Sequence, residues 1–160
     1  MSDSKTYSEA EAERFFAVKF HGMTWDMLDK PDRSMDDSEK MIDYAHSSLA
    51  HWRKAGREIN LQRGYWLLSR VYSVLHMAEP ALKYAKQCRQ VTSDFPDQME
   101  DFDLAFSYEA LARAYAASGN KDEFQKNFDL AEETGNSIMK KEDREYFGKD
   151  LHAGDWFGFM

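Results

Sequence analysis

The chain has 160 residues with 29 acidic against 21 basic side chains, and its net charge of −8 repels phosphate backbones and argues against a nucleic-acid binder. Its 23 aromatic residues stand beside only 11 β-branched ones (4 Val, 3 Ile, 4 Thr), too few for a sandwich or a parallel sheet, whereas 17 Ala, 11 Leu, 9 Met and 3 Pro favour helix. No stretch approaches the ~20 apolar residues of a membrane span, the acidic start MSDSKTYSEAEAER does not read as a signal peptide, and Cys88 has no second cysteine to pair with. The expectation is one all-α domain over residues 1–160, cytoplasmic and without an intrachain disulfide.

Ser8-x-x-Glu11 is a capping-box pattern, so a first helix is predicted from Glu9 to about Asp29, stopped by Pro31. Ser34 followed by Asp36, Asp37 and Glu39 suits the positive end of a second helix that runs to Gly56, read as the residue just past its end. Leu61, Tyr65, Leu68, Tyr72 and Leu75 recur at steps of three or four and predict a third helix over about Glu58 to Met77. Pro80 fits the first turn of a fourth, Glu79 to about Ser93. After the break at Phe95-Pro96-Asp97, a fifth covers about Gln98 to Ser118 and, beyond Gly119-Asn120, a sixth covers Lys121 to about Glu133, with Gly135 following it. A shorter charged helix is predicted over Lys141 to Lys149, ahead of an aperiodic ending, Leu151 to Met160. Helix should fill roughly three-quarters of the chain, with no strand.

The predicted helices form three pairs, about 9–55, 58–93 and 98–135, and the last carries a recognisable pattern. Tyr108-x₂-Leu111-Ala112-x₂-Tyr115-x₃-Gly119, then Phe124-x₃-Phe128-x₂-Ala131, resembles the tetratricopeptide repeat. Tyr65, Leu68, Ser69, Tyr72, Ala81, Ala85 and Cys88 form an earlier copy, with His76 in place of the turn glycine. A fainter one is Phe20, Met23, Thr24, Met27, Met41, Ala45 and Ser48. Phe124 occupies a position that is usually a small Ala, which predicts a wider or shifted helix crossing there. The resemblance covers about residues 10–135 and implies a right-handed superhelix of three antiparallel pairs, closed by a C-terminal capping helix and tail (141–160). A generic helical bundle is the alternative architecture.

In that family the first helix of each pair lines a concave surface. The resemblance therefore implies that Trp66 and Arg70, Glu109 and Arg113, and His21 and Trp25 face a groove, joined by Arg63. Trp and Arg are the residue types enriched at binding hot spots, and Arg forks suit carboxylates. The expected activity is non-catalytic: a protein or peptide segment, acidic or aromatic, held in the groove. The plainer role for these residues is packing, with Trp66 beneath a neighbouring helix and the arginines paired to Asp26, Glu58 or Glu109. Lys and Asn mark the carboxylate-binding clamp of some family members, and those positions here hold Arg and Glu. A chaperone-like adaptor is a variant of the same reading, since three repeats, acidity and this length are similar to class II secretion chaperones, although their sequence motifs are absent.

Catalytic and metal signals are absent from the sequence. His46 and His51 lie about 140° apart on a helix, and Trp25 holds the place four residues after His21 where a second ligand would stand. Cys88 sits where the repeat has a small core residue, so a buried inert thiol is expected. No phosphate loop or nucleophile elbow occurs, and neither a cofactor nor a metal is expected. The rival from another class is a small-molecule sensor or enzyme that uses His21, Trp25 and Asp26 in a closed pocket. Trp156, Phe157, Phe159 and Met160 would make a sticky exposed patch, so the tail should fold back near Phe124, Phe128 or Phe147, with Gly154 and Gly158 at its bends, or else join a second chain as a homodimer.

Overall fold

In the computed structural model, residues 4–160 are described; Met1, Ser2 and Asp3 of the acidic amino-terminal stretch lie outside them. Seven α-helices follow in order: α1 (Glu9–Leu28), α2 (Met35–Ala55), α3 (Glu58–Val74), α4 (Ala78–Asp94), α5 (Asp101–Ala117), α6 (Lys121–Asn136) and α7 (Lys141–Leu151), with a single 3₁₀ turn at Pro96–Gln98. Helix occupies 78% of the described residues and no strand occurs among them, as the shortage of β-branched residues demands. No described helix is long and apolar enough to cross a membrane.

The helix starts follow local chemistry. Ser8 and Glu11 satisfy each other's backbone amides at 2.8 and 3.2 Å, and Ser34 and Asp37 repeat the arrangement at α2. One stop falls where expected but with a different conformation, and one does not fall where expected. Gly56 ends α2 in an extended conformation, not a left-handed one; it needs to be small because a Cβ there would sit 2.7 Å from the Trp52 carbonyl oxygen. Gly135 does not follow α6 but lies inside it, where its bare Cα admits the edge of the Phe147 ring from α7.

α1 packs on α2, α3 on α4 and α5 on α6, and each pair leans on the next through α2–α3, α4–α5 and α3–α5. Burial repeats from pair to pair. The small residues Thr24, Ser69 and Ala112 are fully buried on the first helices, and so are Ser48, Cys88 and Ala131 on the second. The two later pairs turn alike, since Met77 N donates to Tyr72 O and Asn120 N to Tyr115 O, with His76 and Gly119 both left-handed (φ 58° and 75°) between them. The result is a compact bundle of neighbouring helices compatible with a helical repeat. Of the wider or shifted crossing expected at Phe124, no widening shows, since α5 and α6 pack about as closely as α3 and α4, and the Phe124 ring is taken up by the tail.

That tail folds back within the chain. Trp156, 4% exposed, lies 5.5 Å from Phe124 and 5.2 Å from Phe128 between ring centroids, and its Nε1 donates to the Leu151 carbonyl. Gly154 and Gly158 take the left-handed conformations that the bends require, at φ 79° and 82°. Phe157 packs against the same apolar cluster and also reaches beyond it. It is itself left-handed (φ 56°), and its ring meets His76 at the α3–α4 turn, 4.9 Å away.

Candidate functional site

α1, α3, α5 and α7 together line a cleft of about 210 Å³. Its walls are His21 and Trp25 from α1, Gln62, Arg63 and Trp66 from α3, Phe102, Asp103 and Phe106 from α5, and Tyr146 from α7. Trp25 stacks on Trp66 at 5.9 Å, and Phe106 meets Trp66 edge-on at 5.3 Å. His21 fixes the outer indole by accepting from Trp25 Nε1 at 3.2 Å, which requires an unprotonated Nε2. Burial, and then the charge of Arg63, lowers the His21 pKa and keeps the ring neutral. Arg63 is held by Asp103 through two bonds of 2.9 and 3.1 Å while its guanidinium covers Phe102.

Beneath the aromatic wall lies a charge network. Glu109, 0% exposed, accepts from Trp66 Nε1 at 3.0 Å, from Arg70 Nη2 at 2.8 Å and from Arg113 Nε. Arg70 reaches on to Asp150 of α7 at 2.6 Å. Arg113, 5% exposed, donates to the carbonyls of Asp150 and Ala153 at 2.9 Å and lies 4.1 Å from the centre of the Trp156 ring. Two positive and two negative centres thus offset one another in charge, while the buried Nε of Arg70 is left without a partner.

The seven groove residues read from the sequence fall into two groups. His21, Trp25, Arg63 and Trp66 line the cleft, while Glu109 and Arg113 are buried below it; Arg70 stacks over Trp66 and joins the buried group. Of the three partners considered for the arginines, Glu109 pairs with Arg70 and Arg113, whereas neither Asp26 nor Glu58 pairs with any of the three, and Arg63 takes Asp103. Asp26 is exposed and outside the cleft lining. Gln62, Phe102, Asp103, Phe106 and Tyr146 were not foreseen. Phe106 stands 43 residues after Arg63, the offset between the last two copies, so the repeat register carried a signal for it. Tyr146 belongs to α7, outside the repeat, and carried none.

Other candidates are structural. Burial raises the pKa of the Cys88 thiol, in keeping with an inert core residue. His46 bonds the Tyr72 hydroxyl at 2.8 Å, and no group of three His, Cys, Asp or Glu able to hold a metal occurs among the described residues. No family model matches the chain, and neither a curated protein nor a solved structure matches it.

Proposed function

We propose that the chain is a tetratricopeptide-like interaction module: three helix pairs wound as a right-handed superhelix, non-catalytic, taking a segment of a protein partner on the face lined by the first helices. The aromatic cleft is the observation that carries this reading. Its size suits one large apolar side chain, and Trp25, Trp66, Phe106 and Tyr146 offer rigid rings at little entropic cost, the usual make-up of a binding hot spot. The arginines are not the ligand contacts in this reading. Arg70 and Arg113 are spent on Glu109 and position the Trp66 indole instead.

Selection of binding peptides from a random display library, followed by affinity measurement against variants, tests the proposal. Tyr146→Ala is the variant of choice because that side chain is 62% exposed and its loss leaves the core intact. Selected peptides should carry an aromatic or large aliphatic anchor and lose about tenfold or more in affinity to Tyr146→Ala and Trp25→Ala. Peptides that bind both variants as well as the parent protein place recognition elsewhere and refute the site.

A further inference from the structure

A second cavity, of about 360 Å³, lies on the other side of the buried network, where the α1–α2 loop, the end of α3, α5 and the tail converge. Its wall contains three arginines, Arg33, Arg70 and Arg113, together with Ser73, His76 and a single carboxylate, Asp155. Arg70 and Arg113 are compensated from behind by Glu109 and Asp150. Arg33 is not. Its Nη1 donates to the carbonyls of Met27, Leu28 and Lys30, at 3.4, 2.9 and 3.3 Å, and no carboxylate pairs with it among the described residues. Carbonyls at the end of α1 thus fix this half-buried guanidinium at the cavity wall without a carboxylate to neutralise it, so its charge is available to an anion.

Two further observations point to a ligand. Ser73 is 3% exposed, yet its buried Oγ has no hydrogen-bond partner among the described residues, and the buried Nε of Arg70 has none either. Asp155 closes the cavity from the tail, with its Oδ2 3.4 Å from His76 Nε2, so an internal carboxylate already occupies the rim where an anion would enter. The net charge of −8 does not forbid an anion here, because salt screens it beyond about 8–10 Å and the nearby guanidiniums decide the local field.

We propose that this cavity binds a phosphate monoester, with Arg33 as its principal charge contact and Ser73 and His76 as further donors. Phosphate fits better than a carboxylate because the remaining N–H groups of Arg33, the unpartnered Nε of Arg70, the Ser73 hydroxyl and the His76 imidazole offer more donors than two coplanar oxygens can engage. The site lies apart from the aromatic cleft, with Arg70 and Glu109 between the two. Asp155 competes with the ligand, so removing its charge strengthens binding.

Isothermal titration at pH 7.5 and low salt, with phenyl phosphate, inorganic phosphate and acetate as separate probes, tests this. Phenyl phosphate should bind one-to-one, with affinity reduced about tenfold or more in Arg33→Gln and raised several-fold in Asp155→Asn. If Arg33→Gln does not fold, His76→Asn serves in its place, since Asn tolerates the left-handed turn; it should bind several-fold more weakly. Three results overturn the proposal: no heat from either phosphate at millimolar concentration, affinity unchanged in the Arg33 or His76 variant, or acetate binding as tightly as phenyl phosphate, which reassigns the cavity to carboxylates.

Discussion

Glu109→Gln should destabilise the protein by about 3 kcal/mol, although it changes one atom. The carboxylate takes three donors, from Trp66, Arg70 and Arg113, in a site with no access to water. A glutamine keeps one acceptor oxygen but turns an NH₂ toward a guanidinium and leaves the network with an uncompensated positive charge. Removing one partner of a buried ion network costs about 3–5 kcal/mol. The lower end applies because Arg70 keeps Asp150, and Arg113 keeps the carbonyls of Asp150 and Ala153. For a domain of this size that is a fall of roughly 6–12 °C in melting temperature, read by far-UV circular dichroism at pH 7. The acid limb supplies a second readout. Burial raises the Glu109 pKa, but the charges of Arg70 and Arg113 outweigh it and hold the carboxyl below its ordinary value. A group held lower in the folded state contributes stability that is complete above its unfolded pKa, about 4.5, and is lost as the pH falls toward the folded value. The gap between parent and variant should therefore narrow below about pH 4.5. A variant that melts within a degree of the parent at pH 7, or a gap that persists unchanged into acid, refutes the account of the network.

Trp156→Ala, which empties the space between Phe124 and Phe128, should cost about 3–5 kcal/mol; the loss should be the same at every protein concentration, whereas a concentration-dependent loss would mean that the tail joins two chains. Gly135→Ala should destabilise by about 1–3 kcal/mol, because its Cβ would overlap the Phe147 ring, while Gly22→Ala, with nothing within 4 Å, should gain up to about 1 kcal/mol; equal effects in urea titrations would contradict the packing of α7 on α6. Protonation of His21 removes the acceptor for Trp25 Nε1. Because the His21 pKa is lowered, its contribution is complete above the ordinary histidine value and is lost as the pH falls below it. Tryptophan emission should shift across that range in the parent and not in His21→Gln, and a shift that survives in the variant would assign it to another group.

What could be read in advance was what is local. The capping boxes at Ser8 and Ser34 close over three residues, so both helix starts were legible in the sequence. The left-handed Gly154 and Gly158 were legible because only one residue type takes that backbone without cost. The last two pairs keep one offset of 43, and the structure gives Tyr72 and Tyr115 the same turn chemistry, so His76 could be placed in a glycine's position before its φ was known. Gly135 was misread because a glycine near a helix end signals a stop, while the Phe147 ring that accounts for it comes from twelve residues further on.

The arginines show where such reasoning stops. Helical register says that Arg70 and Arg113 point to the inner face; it does not say whether a counter-charge already waits there. Arg70 finds Glu109 39 residues away and Asp150 80 residues away, on helices whose relative placement no local pattern encodes. With both arginines ion-paired internally, the inner face shows less charge, and in the proposed reading recognition falls to the rings of Trp25, Trp66, Phe106 and Tyr146. The same network runs from the Trp66 indole through Glu109 and Arg113 to the backbone of Ala153 and the Trp156 ring. The wall of the aromatic cleft is thus tied to the cap that ends the array. A substitution in the tail should therefore reach the cleft by a short chain of hydrogen bonds, while Tyr146, which stands outside that chain, should report on the cleft alone.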